Sequence, residues 1–326
     1  MTVQKIIIDC DPGIDDALAL VFAHGHPELD LLGITTVAGN VDLSQTTANA
    51  LQVREFAGMP DVPVTAGCPG PLFRPALHAR DVHGSSGLGA ARIPPASSRP
   101  ADGHAVDYLA TAISAEPGQI TLIAIGPLTN IALALRRYPR LVSQVGNFVI
   151  MGGSAGRGNT TPAAEFNILA DPEAAAIVFG AGWTVTMIGL DATRPVRATA
   201  AVRDRMRGLG RLADDLLLPG LSGHRGGGPG SEPADEPAVH DVCAVARVAA
   251  PGLITCEPAR VEVETAGRWT AGMTVTDFAA PAGDCNAQVA VAIDVGGFWD
   301  LVLDAYGRVA RGMSGEGMPA AGTAAL

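Results

Sequence analysis

The stretch Lys5-Ile6-Ile7-Ile8-Asp9-Cys10-Asp11-Pro12-Gly13-Ile14-Asp15-Asp16 runs an all-apolar strand directly into four carboxylates within eight residues. No other junction restricts the fold as strongly. Three consecutive isoleucines read as a strand buried in a core, so its end must deliver acids to a place that tolerates them. Alternation puts Asp9 and Asp11 on one side of the strand end, and Pro12-Gly13 makes the turn. Asp15 and Asp16 then fall in the first helical turn, where the helix dipole favours negative charge. Repulsion among the four is relieved by raised pKa values or by a shared hard cation that prefers oxygen ligands, calcium or magnesium. A solvated acidic turn would seldom follow a buried strand so tightly, which favours the cation.

Apolar runs that read as buried strands recur at 6–10, 32–37, 120–125, 148–151 and 185–190, with helical patterns at 15–25, 43–57, 103–115, 128–137 and 172–179. Several of the helices open on Asp, Thr or Pro. This alternation predicts an α/β fold with a Rossmann-like, mainly parallel central sheet covered by helices. Segments 260–264 and 287–294 predict a small additional C-terminal sheet or hairpin, and 298–308 a closing helix. One catalytic domain is expected over 1–312, followed by a Gly/Ala-rich, disordered tail at 313–326. The polar exceptions gather at strand carboxyl ends: Asp9 and Asp11, Gly39-Asn40, Gly126-Pro127, Gly152-Gly153 and Asp191. Ligands of such sheets bind on that rim.

Composition narrows the partner. With 48% hydrophobic and 17% charged residues among 326, the chain can bury a large core. A net charge of −11 argues against a nucleic-acid polymer, which needs a basic face to displace counterions. No stretch approaches the ~20 apolar residues of a membrane span, and the start enters a strand without a signal-peptide pattern. The expectation is a cytoplasmic protein with no membrane partner. Five scattered cysteines, Cys10, Cys68, Cys243, Cys256 and Cys285, suit reduced core thiols better than disulfides or zinc.

A second polar cluster, Gly158-Asn159-Thr160-Thr161-Pro162-Ala163-Ala164-Glu165-Phe166-Asn167, offers two amides and a carboxylate beside the Met151-Gly152-Gly153 strand end. Such groups suit sugar hydroxyls, although they also serve to satisfy loop backbone. His240-Asp241 joins a carboxylate to the side chain best placed to move protons near neutral pH. His83 lies in Val82-His83-Gly84-Ser85-Ser86-Gly87, whereas His24, His26, His78, His104 and His224 read as surface or loop residues. The glycine-rich segment 219–230 reads as a surface loop or as a lid that closes over substrate.

Taken in order, Asp9-Cys10-Asp11-Pro12-Gly13-Ile14-Asp15-Asp16, Thr35-Thr36-Val37-Ala38-Gly39-Asn40, Gly126-Pro127-Leu128-Thr129-Asn130, Met151-Gly152-Gly153, Ala164-Glu165-Phe166-Asn167 and His240-Asp241 resemble the nucleoside hydrolases of the inosine-uridine-preferring type. The resemblance runs from about residue 5 to residue 303. It implies one Ca2+ held by Asp11, Asp16, Asp241 and the main-chain carbonyl of Ile125, with Asp9 behind them orienting a ligand. It also implies ribose contacts from Asp15, Asn40, Asn159, Glu165 and Asn167, small-molecule ribonucleosides as substrates, and a homodimer or homotetramer. On this reading Asp11 takes a proton from a calcium-bound water and His240 assists the departing base.

The segment before His240 carries no Tyr, Trp or Phe back to Arg211, so it cannot stack on a base. His83 together with His240 resembles the pyrimidine-preferring or broad-range members, which points to uridine, cytidine and inosine. An aspartate-dependent phosphohydrolase would need cationic phosphate ligands, yet the first 20 residues hold one lysine, Lys5. A non-catalytic calcium and ribose-binding module would keep the metal carboxylates but lose the proton-handling pair Asp11 and His240. A phosphorylase would bring phosphate to a centre whose acids repel it.

Overall fold

The structure, a computed structural model, describes residues 3–223 and 236–314. Its strands are β1 (Gln4–Cys10), β2 (Leu29–Thr36), β3 (Val64–Ala66), β4 (Ile120–Ala124), β5 (Asn147–Met151), β6 (Val185–Ile188), β7 (Ile254–Val263), β8 (Thr274–Asp277) and β9 (Ala287–Ile293). They form one sheet in the order β3-β2-β1-β4-β5-β6-β9-β7-β8. The pairings from β3 through β9 are parallel, while β7 runs antiparallel to both β9 and β8.

Period-two side chains explain why β1 lies inside the sheet, between β2 and β4. Ile6 and Ile8 enter one hydrophobic core and Ile7 enters the other, as a strand covered on both faces requires. The first core is roofed by the helices Ile14–Gly25, Asp241–Ala249 and Val295–Met313, the second by Ala105–Ala115, Thr129–Arg137 and Pro172–Phe179. Each isoleucine so buried contributes about 1.5–3 kcal/mol. Helix starts are fixed chemically: Asp42, Asp171 and Asp294 accept from Gln45 N at 3.1 Å, Ala174 N at 3.0 Å and Gly297 N at 3.1 Å, satisfying donors that a helix leaves unpaired.

The chain winds from β1 outward through β2 to β3, then returns to place β4 on the other side of β1 before winding outward again. The carboxyl ends of β1 and β4 therefore flank the switch point, where flanking loops diverge and leave a crevice. Asp11 follows the first and Ile125 the second.

The predicted strands and helices are present with ends shifted by a few residues. The predicted C-terminal segments 260–264 and 287–294 fall on β7 and β9, which pair antiparallel, but they form no separate sheet: β9 pairs along the otherwise open edge of β6, and the added strand β8 extends β7. The short strands β3 and β8 carry too few residues to show a period. His26, expected at the surface or in a loop, follows the first helix outside regular structure but is buried, its ring 5.6 Å from that of Phe22. Cys10, Cys68 and Cys243 are buried. The glycine-rich segment is helical through Gly223; its remainder to 230, and the tail beyond 314, lie outside the described residues. Among the described residues no helix is long and apolar enough to cross a membrane.

Candidate active site

The strand-turn-helix after β1 uses its own acids as scaffolding. Asp16, at the third helical position, accepts from Asp11 N at 3.0 Å with Oδ1 and from Gly13 N at 2.9 Å with Oδ2. Both bonds hold the turn tight against the helix start. Asp11 Oδ2 accepts from Asn40 N at 2.7 Å, and Asn40 Nδ2 donates to Asp11 O at 3.1 Å and to Asp16 Oδ2 at 3.3 Å. Two glycines make room for that carboxylate: a Cβ on Gly39 would lie 2.0 Å from Asp11 Oδ2, and one on Gly126 would lie 2.5 Å from Oδ1.

Distant segments complete the rim. His240 caps the helix Asp241–Ala249, and its backbone N donates to Asp15 Oδ2 at 3.0 Å across 225 residues of sequence. Its ring Nδ1 is 2.7 Å from Thr193 Oγ1. His83 is buried and its Nδ1 accepts from Ile14 N at 3.2 Å. Glu165 is buried beneath backbone donors, with Oε2 taking Gly153 N at 2.9 Å and Ile168 N at 3.1 Å and Oε1 taking Asn167 N at 2.9 Å. Asn167 Nδ2 donates to Ile125 O at 3.0 Å and Met151 O at 3.1 Å. It thereby ties the second polar cluster to the ends of β4 and β5. Asn159 is the exception, being exposed, with its Oδ1 accepting from Phe166 N at 3.0 Å and Thr160 Oγ1 at 3.2 Å. Its carbonyl oxygen holds the loop.

Burial dominates the electrostatics. It raises Asp9, Asp15 and Glu165 each to about 7, against hydrogen bonds that pull the other way. Asp11 and Asp241 are pushed well above the usual carboxylate range by burial and then by the charge of Asp16. The charges felt by Asp241 are those of Asp16, Asp15, Asp11 and Glu165, all of one sign. Asp11 Oδ1 and Asp15 Oδ1 are buried without a hydrogen-bond partner, as is Asp9 Oδ2. An acceptor left in that state costs about 1–3 kcal/mol, more when charged, so these oxygens need a donor or a cation from outside the chain. Among the described residues no group of three or more His, Cys, Asp or Glu side chains is arranged by itself to hold a metal ion. What fits a cation is the chemistry of the unpartnered carboxylate oxygens, hard donors of the kind calcium or magnesium accepts.

Four supporting residues were given no role from the sequence: Thr35, Asn130, Thr193 and His78. Asn130 Nδ2 donates to Asp9 Oδ1 at 2.8 Å and to Thr36 O at 3.0 Å, and Thr35 Oγ1 donates to the same Asp9 oxygen at 2.5 Å. Asp9 is thus held behind Asp11 by two donors. Thr193 shows no local pattern, since its partner His240 is 47 positions away. His78, read as a surface or loop residue, is half-buried and bonded to Gly39 O.

The family model described as inosine-uridine preferring nucleoside hydrolase matches residues 6–300. The inosine-uridine preferring nucleoside hydrolase of Leishmania major is 47% identical over 94% of this chain and 98% of its own length. The non-specific ribonucleoside hydrolase RihC of Klebsiella pneumoniae is 47% identical over 90% of this chain and 95% of its own. Among solved structures, a purine-preferring ribonucleoside hydrolase from Gardnerella vaginalis superposes with a TM-score of 0.85 at 31% identity, covering 94% of this chain and 99% of that one. A doubly wound sheet with an acidic rim at its switch point is here the frame of a glycosidase that cleaves the N-glycosidic bond of ribonucleosides. The chain belongs to the inosine-uridine preferring nucleoside hydrolase family.

Proposed function

We propose that the chain is a calcium-dependent ribonucleoside hydrolase that releases ribose and free base, favouring uridine, cytidine and inosine. The observation that carries this reading is Asp11: buried, surrounded by acids, with one oxygen fixed by Asn40 N and the other lacking any donor. Asp11, Asp16, Asp241 and the carbonyl of Ile125 would hold the ion. When bound, calcium supplies the charge that neutralises these acids, draws in the 2′ and 3′ hydroxyls and makes a neighbouring water more acidic.

The chain's own residues do the rest. Asp15, Asn40, Glu165 and Asn167 present acceptors and amides to the ribose hydroxyls, with Asn159 at the margin of the loop. Fixing the ring favours the flattened, oxocarbenium-like state through which an N-glycosidic bond breaks. Asp11 takes a proton from the attacking water as its oxygen bonds to the anomeric carbon. The bond from that carbon to the base nitrogen breaks, and the nitrogen takes a proton from His240, whose ring is oriented by Thr193. Asp9, pinned by Thr35 and Asn130, steadies the strand end from behind. His83 stands beside the turn at Gly13 and is assigned to the substrate.

Base preference rests on the segment before His240, which has no aromatic residue to stack, and on relatives named inosine-uridine preferring and non-specific. The test is ribose release from inosine, uridine, cytidine and adenosine in phosphate-free buffer, with calcium and then with a chelator. Release without phosphate that falls on chelation is the expected result. Silence on all four with calcium present would falsify the reading.

A further inference from the structure

We infer that His78 is a positioning residue for Asp11, acting through the peptide unit between Gly39 and Asn40. His78 Nδ1 is 2.8 Å from Gly39 O. A carbonyl oxygen only accepts, so Nδ1 carries the proton and donates. The amide at the other end of that peptide unit, Asn40 N–H, donates to Asp11 Oδ2 at 2.7 Å. One planar group therefore connects the imidazole to the carboxylate.

The arrangement has two physical consequences. A hydrogen bond received at the carbonyl polarises the peptide and strengthens the bond its N–H gives. The bond also fixes the plane of the peptide, and with it the angle at which Asp11 is held. There is little slack, because a Cβ on Gly39 would meet Asp11 Oδ2 at 2.0 Å and Pro127 Cδ at 2.8 Å. The next residue works with His78: Ala79 N donates to Asn40 O at 3.0 Å, so two successive carbonyls of this strand end are clamped from the same segment. That segment is itself anchored, since Leu72 N donates to Asp171 and Arg74 grips Glu173. His78 thus lies between anchors at Leu72 and Arg74 on one side and the Ala79 N bond to Asn40 O on the other.

The inference rests on Asp11 being the base of the proposed reaction, and its test includes a readout that does not. Four proteins are compared: wild type, His78→Ala, His78→Gln and His78→Asn. Asn places its amide nitrogen near the position of Nδ1, whereas the Gln nitrogen corresponds to the far side of the ring. Loss of an outer partner of a metal-binding carboxylate lowers activity about 10–100-fold. That fall is expected in kcat for Ala and Gln with KM for inosine changed less than about threefold, and Asn should restore most of kcat. In the cation-free proteins, amide exchange at Asn40 should quicken at least about tenfold for Ala and Gln but not for Asn. Unchanged Asn40 exchange in Gln, or an Asn variant that behaves like Ala, overturns the inference. If wild type releases no ribose, the proposed function fails instead, and the exchange data still decide the role of His78. If Ala does not fold, the Gln and Asn pair decides alone.

Discussion

Two sets of buried or half-buried acids stand on this molecule, and they are treated in opposite ways. Asp171 is fully buried, yet its Oδ2 receives Leu72 N at 2.9 Å and Thr129 Oγ1 at 2.7 Å, and its Oδ1 receives Ala174 N at 3.0 Å. Two residues on, Glu173 takes a forked pair from Arg74 Nε and Nη2. Every charge there has a partner within the chain. Asp11 and Asp15 each keep one buried oxygen with none, and the charges nearest Asp241 are four other acids. Satisfied acids serve the fold. Acids left unsatisfied in the same kind of environment destabilise it unless a donor or cation from outside the chain offsets the cost.

The comparison can be broken most sharply at Asp11. Asp11→Asn should lower kcat by about 10⁴-fold, the upper range for loss of a general base, while the cation-free protein melts no lower than wild type, because a neutral amide removes one of the mutually repelling charges. Activity and a thermal melt together check this; a large fall in melting temperature would place Asp11 with the structural acids. His240→Ala should cost about 10²–10³ in kcat, less than Asp11→Asn, with calcium affinity intact by calorimetry. If every natural nucleoside were turned over at the wild-type rate, His240 would not be the acid.

Asp171→Asn tests the other side. An amide cannot accept from all three of its donors, so the variant should lose about 1–3 kcal/mol of stability in a urea melt, while calcium binds with unchanged affinity. A smaller effect separates the sets by pH. Asp9, Asp15 and Glu165 titrate at about 7 in the folded protein, against 3.8 or 4.5 ordinarily. Raised carboxyl pKa values mean that the folded state keeps protons the unfolded chain has released. Below about pH 4 both states are protonated and there is no penalty; between about 4 and 7 the penalty grows, and above 7 it is complete. The cation-free protein should therefore lose melting temperature by about 5 °C or more between pH 4.5 and 7.5. Calcium should restore it, and by more at the higher pH, since binding displaces protons. A melting temperature that rises with pH over this window would contradict the raised values.

Much of the site could be read locally. A strand of isoleucines ending in Asp9 and Asp11, and a helix opening on Asp15 and Asp16, needed only periods of two and 3.6 residues. Glu165 and Asn167 stood out because carboxylate and amide side chains beside a strand end have few uses. His78 carried no such mark. It lies in a segment without period, and nothing near it in sequence says that its ring reaches Gly39. Asn159 was legible as a polar group but not in its orientation, which loop hydrogen bonds decide. The C-terminal strands were legible as strands, whereas their attachment to β6 was not, because edge pairing depends on which strand the preceding windings leave uncovered.

By itself, then, the amino-acid order determined which segments are strands and helices, that the acids of β1 emerge at a strand end, and that carboxylate and amide side chains gather beside other strand ends. The tertiary structure decided which of those groups meet. It brought His240 to Asp15 and Asp241 among the acids that follow β1, set Ile125 O beside Asn167, and joined His78 to Asp11 through one peptide. The physical reason is one of range. Backbone periodicity and capping act over a few residues, while the neighbours of a strand end are set by the order in which strands pair and by the crossover that puts β4 against β1.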